Sequence, residues 1–335
     1  MITLVIVIIA LALLFDFLNG MNDAANSIAT VVSTRVLSPR LAVLWAAFFN
    51  FAAALGFGVH VANTIGRGIV NPSLVTLEVI LAALVGGIVW THVCTHYGLP
   101  ISVSHALIGA LAGAALPRAG WGALIPEGLG KVALFIVLSP MIGMVLGYFF
   151  MVGSLWAARR RPPETVDRFF RVGQLLSSAA YSLGHGTNDA QKTMGIIALV
   201  LYTSGIHTTF HVPLWVILSA HAAIALGTYL GGWKVVRTMG MRITHLRPIG
   251  GFSAETASAA VLLGTALAGI PVSTTHTIAG AIMGVGSTRR LSAVRWGVAG
   301  KIVWAWVLTI PAAGAMGWLV SVILAALEPL WRQGV

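Results

Sequence analysis

Charge is scarce in this chain, and acidic charge scarcest: nine Asp and Glu residues stand against 20 Lys and Arg among 335 residues. Only 9% of the chain is charged, where a soluble domain carries about a quarter. That excludes an ordinary soluble fold. Cysteine is almost absent. Cys94 alone rules out an intrachain disulfide and says little about redox compartment. A basic leader with a small-residue cleavage site is also lacking, so residues 1–18 read as a retained first helix, not a cleaved signal peptide. The net charge of +11 does not point to nucleic acid. The basic residues sit in short stretches between apolar segments, as the positive-inside rule expects. What is abundant is apolar: 58% of residues are hydrophobic and 38 are glycine. Runs of about 20 apolar residues mark bilayer crossings, and glycine lets membrane helices pack closely. The composition predicts an all-α polytopic membrane protein.

Apolar periodicity and breakers predict about ten membrane segments, at 2–34, 41–62, 74–97, 100–116, 131–157, 172–201, 211–233, 250–268, 271–287 and 296–327. The third and fourth form a hairpin through Gly98-Leu99-Pro100, the eighth and ninth through Gly269-Ile270-Pro271. Each hairpin is either re-entrant or a full crossing. Two polar motifs occur twice. Asn22-Asp23-Ala24 returns as Asn188-Asp189-Ala190, 166 residues later. Pro100-Ile101-Ser102-Val103-Ser104-His105 returns as Pro271-Val272-Ser273-Thr274-Thr275-His276, 171 residues later. The chain therefore divides into an N-terminal repeat 1–157, a linker 158–171 with Pro162 and Pro163, and a C-terminal repeat 172–335. A duplicated membrane unit with polar breaks in matching places is the pattern of a secondary transporter.

Basic residues set the expected orientation. With the N-terminus outside, the inner loops carry Arg35, Arg40, Arg159, Arg160, Arg161, Arg168, Arg171, Lys234, Arg237, Arg242, Arg247, Arg289, Arg290 and Arg295. The outer side carries only Arg67, Arg118, Lys131 and Arg332. This asymmetry predicts a cytoplasmic linker and both termini outside. Five segments per half is an odd number, so the repeats are inverted and their motifs can meet near the midplane.

The first segment carries Asn19, Asn22, Asp23, Asn26, Ser27 and Thr30 at three- and four-residue spacing, hence on one helix face. His185, Asn188, Asp189, Lys192 and Thr193 repeat the pattern. A carboxylate within a membrane segment needs a cation, a proton or a basic partner. Asp23, Asn26 and Asp189 are accordingly candidate ligands for a coupling cation, with Na⁺ or H⁺ at Asp23 and Asp189. Glu255, which roughly mirrors Glu78, is a further candidate. A polar network holding two helices together is the plainer reading, but it does not explain the duplication. The Pro-x-Ser-x-(Ser/Thr)-His motifs are helix-start signals, with Pro in the first turn and hydroxyls at cap positions. Ordinary capping is one reading. The other is a site where two helix N-termini and the hydroxyls of Ser102, Ser104, Ser273, Thr274 and Thr275 hold a tetrahedral oxyanion with neutral donors. His105 and His276 read as packing or supporting groups, as do Lys192 and Thr193. Lys192 either pairs with Asp189 or touches the anion. His92 and His96 share a helix face, but two ligands make a poor metal site. Trp121, Trp215, Trp296 and Trp331 read as interfacial anchors.

These motifs resemble the inorganic phosphate transporter (PiT) family. The likeness runs through Gly20–Ser33 and Pro100–Gly113, then Gly184–Gly195, Lys234–Gly240 and Pro271–Gly286. It implies a cation-coupled phosphate symporter working by alternating access, with re-entrant hairpins and a homodimer, in the cytoplasmic membrane. It implies Na⁺ or H⁺ as the co-transported ion, phosphate free or as a metal–phosphate complex, and no cofactor. It places Asn22, Asp23, Asn188 and Asp189 in the cation and substrate centre, and the hairpin hydroxyls with Gln191 on phosphate. Val103 stands where the family often has a hydroxyl, so the two hairpins contribute unequally. A sulfate carrier of the same fold is the nearest alternative, but such carriers diverge at the Asn-Asp-Ala motif, intact here in both copies. An intramembrane phosphatase using His105 or His276 as nucleophile is more remote. No Arg lies within the motifs to stabilise transferring phosphoryl charge, so an enzyme is not expected.

Overall fold

A computed structural model describes residues 2–56 and 58–332, the side chains of residues 241 and 330–332 excepted. The role read for Trp331 therefore lies outside the described side chains. The described chain is helical throughout: α1 (Ile2–Ser33), α2 (Pro39–Ala52), α3 (His60–Gly68), α4 (Leu77–Tyr97), α5 (Val103–Ala119), α6 (Pro126–Ala158), α7 (Pro163–Thr203), α8 (Leu214–Leu230), α9 (Trp233–Met241), α10 (Pro248–Leu267), α11 (Thr274–Ser287) and α12 (Trp296–Arg332). Among the described residues, α1, α4, α6 and α12 are long and apolar enough to cross a membrane. Two further helix pairs pass only together and are bent, Pro39–Leu55 with α3 at 82° and α8 with α9 at 75°; each is a broken span or a re-entrant loop, which makes up to six spans. Helices α5 and α11 have 17 and 14 residues, short of the roughly 20 that a bilayer takes. Helix α7 is longer than any of these at 41 residues but carries the polar stripe through its middle.

The helices depart from the sequence reading most clearly at two stretches. Helix α7 begins at Pro163, so most of the stretch read as the linker 158–171 is helical. Pro at the first helical position starts it, and Arg171 Nε donates to Asp167 Oδ2 at 2.7 Å, an i,i+4 pair that supports its exposed first turns. The stretch read as the loop 234–247 holds α9. The polar residues there line one side of an amphipathic helix, and Val235, Val236 and Met239 are buried.

Both hairpins turn by the same device. Gly98 has φ 70° and Gly269 φ 68°, a left-handed conformation that costs glycine nothing. Gly98 N donates to Thr95 O (3.1 Å) and Leu99 N to Cys94 O (2.9 Å). Gly269 N donates to Ala266 O (3.1 Å) and Ile270 N to Thr265 O (2.9 Å). These paired bonds satisfy the last carbonyls of α4 and α10, and the proline that follows stops the helix. Pro100 and Pro271 thus lie in extended lead-ins rather than in the first turns of α5 and α11, whose N-caps are Ser102 and Ser273.

Packing partners interchange between the halves. Helix α5 lies on α12 while α11 lies on α6. Helix α4 also meets α12 while α10 meets α6. Helix α1 packs on α4 and α8 while α7 packs on α10 and on α2 with α3. Small residues make these approaches: a Cβ on Gly113 would run into the backbone of Gly314, and one on Gly280 into that of Pro140. Such contacts hold membrane helices together where lipid removes the hydrophobic drive. Two apolar cores result, one around α4 and α5, the other around α10 and α11. Helix α1 passes from the first core (Val5–Phe15) into the second (Ala25–Val31), and α7 from the second (Tyr181) into the first (Ala190–Leu201). The polar stretches of both helices occupy the layer between.

Candidate functional site

The layer between the cores holds the duplicated motifs. Asp23 on α1, Asp189, His185 and Lys192 on α7, Ser104 at the start of α5, and Thr274 and Thr275 at the start of α11 are each 6% exposed or less. Two helix N-termini and two carboxylates therefore meet in a buried centre.

The donors of Lys192, Thr274, Thr275 and Asn26 are each directed at an oxygen. Lys192 has three N–H donors and three acceptors: the Asp189 Oδ1 carboxylate oxygen, the Ser104 hydroxyl and, at 3.0 Å, the Val272 carbonyl. Thr274 Oγ1 lies 3.1 Å from Asp23 Oδ2 and 3.0 Å from Asp189 Oδ2, so one hydroxyl stands between the carboxylates of the two repeats. Thr275 Oγ1 lies 3.3 Å from Asp23 Oδ1 and 3.0 Å from the Ile101 carbonyl, and accepts from Asn26 Nδ2 at 2.9 Å.

A chain of bonds fixes His185. Thr228 Oγ1 donates to Ile224 O at 2.9 Å, so it accepts from Asn50 Nδ2, also at 2.9 Å. That turns Asn50 Oδ1 toward His185 Nδ1 at 3.1 Å, and Nδ1 must carry the proton. The other ring nitrogen, Nε2, then faces Asp189 Oδ2 at 3.2 Å and Asp23 Oδ2 at 3.8 Å. One ligand atom from each of Asp23, His185 and Asp189 lies within 4.8 Å of the others, which is metal-ligand spacing. A cation or a proton placed there would satisfy all three.

Other sequence candidates fall elsewhere. Ser102 and Ser273 cap their helices, each Oγ accepting the backbone N–H three residues on at 3.2 Å. Asn22 Nδ2 donates to Thr95 Oγ1 on α4 (2.8 Å) and Asn188 Nδ2 to Leu262 O on α10 (2.7 Å). The two asparagines thus tie each motif to the first arm of a hairpin, and their Oδ1 atoms stay buried and unbonded. Gln191, expected on the substrate, uses Oε1 to accept from Val61 N (2.8 Å) and Ala62 N (3.2 Å), capping α3 instead. Its side chain is directed to α3 rather than to the two carboxylates.

Glu255, expected with the coupling cation, accepts from Gln174 Nε2 at 3.0 Å and Ser177 Oγ at 2.5 Å. Ser177 precedes Asp189 by twelve residues, about 18 Å along α7, so Glu255 belongs to a separate polar cluster. His105 and His276 meet edge to face at 4.8 Å, and His276 stacks on Trp306 at 3.8 Å, a packing role under the hairpin tips. Thr193 is buried beside Asp16 of α1. His92 and His96 are exposed on α4. Trp121, Trp215 and Trp296 are also exposed, as anchors in lipid would be.

Sequence reasoning missed Asp16. It is wholly buried, with Thr193 and Asn19 as its polar side-chain neighbours. Its signal was a lone Asp seven residues before Asp23, two turns back on the same face. Asn50 and Thr228 were missed too, since only the bent spans bring them to His185. A cavity of about 910 Å³ opens at the C-terminal end of α1, lined by Arg35, Arg40, Arg237 and Arg247. Its wall reaches Ala29, six residues or about 9 Å along the helix from Asp23.

Comparison with known proteins agrees on one family. A sequence model described as "Phosphate transporter family" matches residues 19–163 and again 155–317, one match per half. A "Probable low-affinity inorganic phosphate transporter" of Rhizobium meliloti (strain 1021) is 57% identical over 311 residues, covering 92% of this chain and 93% of that protein. Its namesake in Bacillus subtilis (strain 168) is 44% identical, covering 96% and 97%. A solved structure, "The sodium-dependent phosphate transporter", superposes with a TM-score of 0.87 at 27% identity, covering 97% of this chain and 99% of the other.

Proposed function

The chain belongs to the phosphate transporter family, an integral membrane protein and not an enzyme, and we infer that it carries inorganic phosphate across the cytoplasmic membrane with Na⁺ or H⁺. The observation that supports this best is Thr274 standing between Asp23 and Asp189, so that both copies of one motif converge beside two helix N-termini. Those termini offer N–H groups and partial positive charge to an anion. The hydroxyls of Ser104, Thr274 and Thr275 are turned to Lys192 and the carboxylates. A cation arriving at Asp23 and Asp189 would take over those oxygens and release the hydroxyl hydrogens to phosphate. Each ligand then favours the other, which is coupling by reciprocal free energy. The basic cavity draws an anion toward the centre by its field.

Phosphate uptake into proteoliposomes, with a Na⁺ gradient and a pH gradient imposed separately, tests this. Accumulation of labelled phosphate under at least one gradient is expected. No accumulation under either would overturn the reading.

The inverted relation of the halves belongs to the same reading. It is supported by the opposite passage of α1 and α7 through the two cores and by the interchange of packing partners. With the short α5 and α11 as re-entrant arms, the two hairpins approach the centre from opposite faces. The linker then lies in the cytoplasm and the termini outside. With Cys94 replaced by Ala, a cysteine at Thr208 should react with an impermeant thiol reagent on intact cells and one at Glu164 should not. The reverse pattern would undo this orientation.

A further inference from the structure

The two halves build the same cation position but fill it differently. Lys192 corresponds to Asn26 by the 166-residue offset that relates Asp189 to Asp23. Ser104 corresponds to Thr275, and Ile101 to Val272, by the 171-residue offset of the hairpins. In the second position, Asp189 Oδ1, Ser104 Oγ and the Val272 carbonyl surround the Lys192 ammonium. In the first, Asp23 Oδ1 and the Ile101 carbonyl both lie on Thr275 Oγ1, at 3.3 and 3.0 Å, and the Asn26 amide joins them through its nitrogen at 2.9 Å. Both are sets of carboxylate, hydroxyl and main-chain carbonyl oxygens, the donors that hard cations take. Carbonyls at unwound helix ends serve monovalent cations in transporters of this kind.

The difference is one side chain. Lys192 is 2% exposed and brings its own positive charge, with three donors matched to three acceptors. Asn26 is 1% exposed, brings none, and keeps a buried Oδ1 without a hydrogen bond. Of the two carboxylates, Asp189 has a resident ammonium and Asp23 has none; His185 Nε2, at 3.2 Å from Asp189 and 3.8 Å from Asp23, is the other basic group at hand.

We propose that the Lys192 ammonium stands permanently where the first half seats an exchangeable monovalent cation, so this pair of positions exchanges one such cation per cycle and not two. The inference rests on the transport reading above. It makes Lys192 a fixed charge of the transport centre, and Asn26 with Asp23 the exchanging side.

Lys192→Asn restores the first half's residue at the second position. Equilibrium binding of radioactive Na⁺ to purified protein, at one fixed pH, should rise by one ion per chain over wild type. Lys192→Met removes the ammonium without supplying the amide that the first half has, and should gain no comparable site. In proteoliposomes, the Hill coefficient of phosphate uptake for Na⁺ should rise by about one in Lys192→Asn. Equal Na⁺ binding in wild type and Lys192→Asn overturns the proposal whether or not the variant transports, and so does an equal gain in Lys192→Met. Failure of the wild type itself to take up phosphate under any gradient would instead defeat the transport reading, and the binding count would still decide the role of Lys192.

Discussion

Asp189→Asn should abolish phosphate uptake and lower the thermal stability of the purified protein, whereas Asp23→Asn should abolish uptake with little loss of stability. The contrast follows from their partners. Asp189 Oδ1 accepts from Lys192, and Oδ2 lies 3.0 Å from Thr274 Oγ1 and 3.2 Å from His185 Nε2. Asparagine in its place leaves an ammonium that is 2% exposed without its counter-charge. Removing one partner of a buried ion pair costs about 3–5 kcal/mol, because the other charge stays buried and uncompensated. Asp23 has no dedicated lysine, so its neutralisation strands nothing. Adding Lys192→Met to Asp189→Asn removes the stranded charge, and should restore stability without restoring uptake. Melting in detergent and uptake in proteoliposomes read the two effects apart. Wild-type uptake by both single variants would remove the carboxylates from the coupling mechanism.

How far the sequence showed this centre depends on what spacing can carry. Helical spacing gives a face, and Asp23 with Asn26 on α1 and Asp189 with Lys192 on α7 meet the hairpin starts together. Duplication gives correspondence, and so paired Asp23 with Asp189 before any coordinates. Depth is different. Glu255 was a candidate as a carboxylate within a membrane segment and Gln191 through the family resemblance, yet one sits about three helical turns away along α7 and the other turns outward to cap α3. Neither fact follows from spacing within one helix, because both depend on where a second helix crosses. The bent spans defeated the reading for the same reason. Asn50 and Thr228 are unremarkable in their own segments, and acquire meaning only where α2 and α8 meet α7 and fix the proton of His185 on Nδ1. The α9 helix hid behind its charge. Lys234, Arg237 and Arg242 read as a loop by the positive-inside rule, while the apolar side formed by Val235, Val236 and Met239 was buried against the rest of the fold.

Thr274→Val should weaken phosphate and strengthen the driving cation at once. Thr274 Oγ1 is within 3.1 Å of Asp23 Oδ2 and 3.0 Å of Asp189 Oδ2, and its single hydrogen serves one of them at a time. Valine keeps the branched shape and deletes the donor. Losing a hydrogen bond to a charged group costs about 1.5–3 kcal/mol, roughly a ten- to hundredfold change in an equilibrium constant. For phosphate the change is a loss, since a hydroxyl meant for the anion is gone. For the cation it is a gain, since two carboxylate oxygens that a hydroxyl partly satisfied now have only the cation to satisfy them. A variant damaged merely in packing would lose affinity for both ligands, so the opposed shifts identify the hydroxyl as the exchanged group. Thr274→Ser retains the donor and should stay close to wild type on both measures. Uptake measured against phosphate at saturating cation, and against cation at saturating phosphate, gives the two affinities separately. Parallel losses in Thr274→Val, or unchanged values in both, would mean that the hydroxyl between the two carboxylates does not pass from cation site to anion, and the proposed coupling step would fail with it.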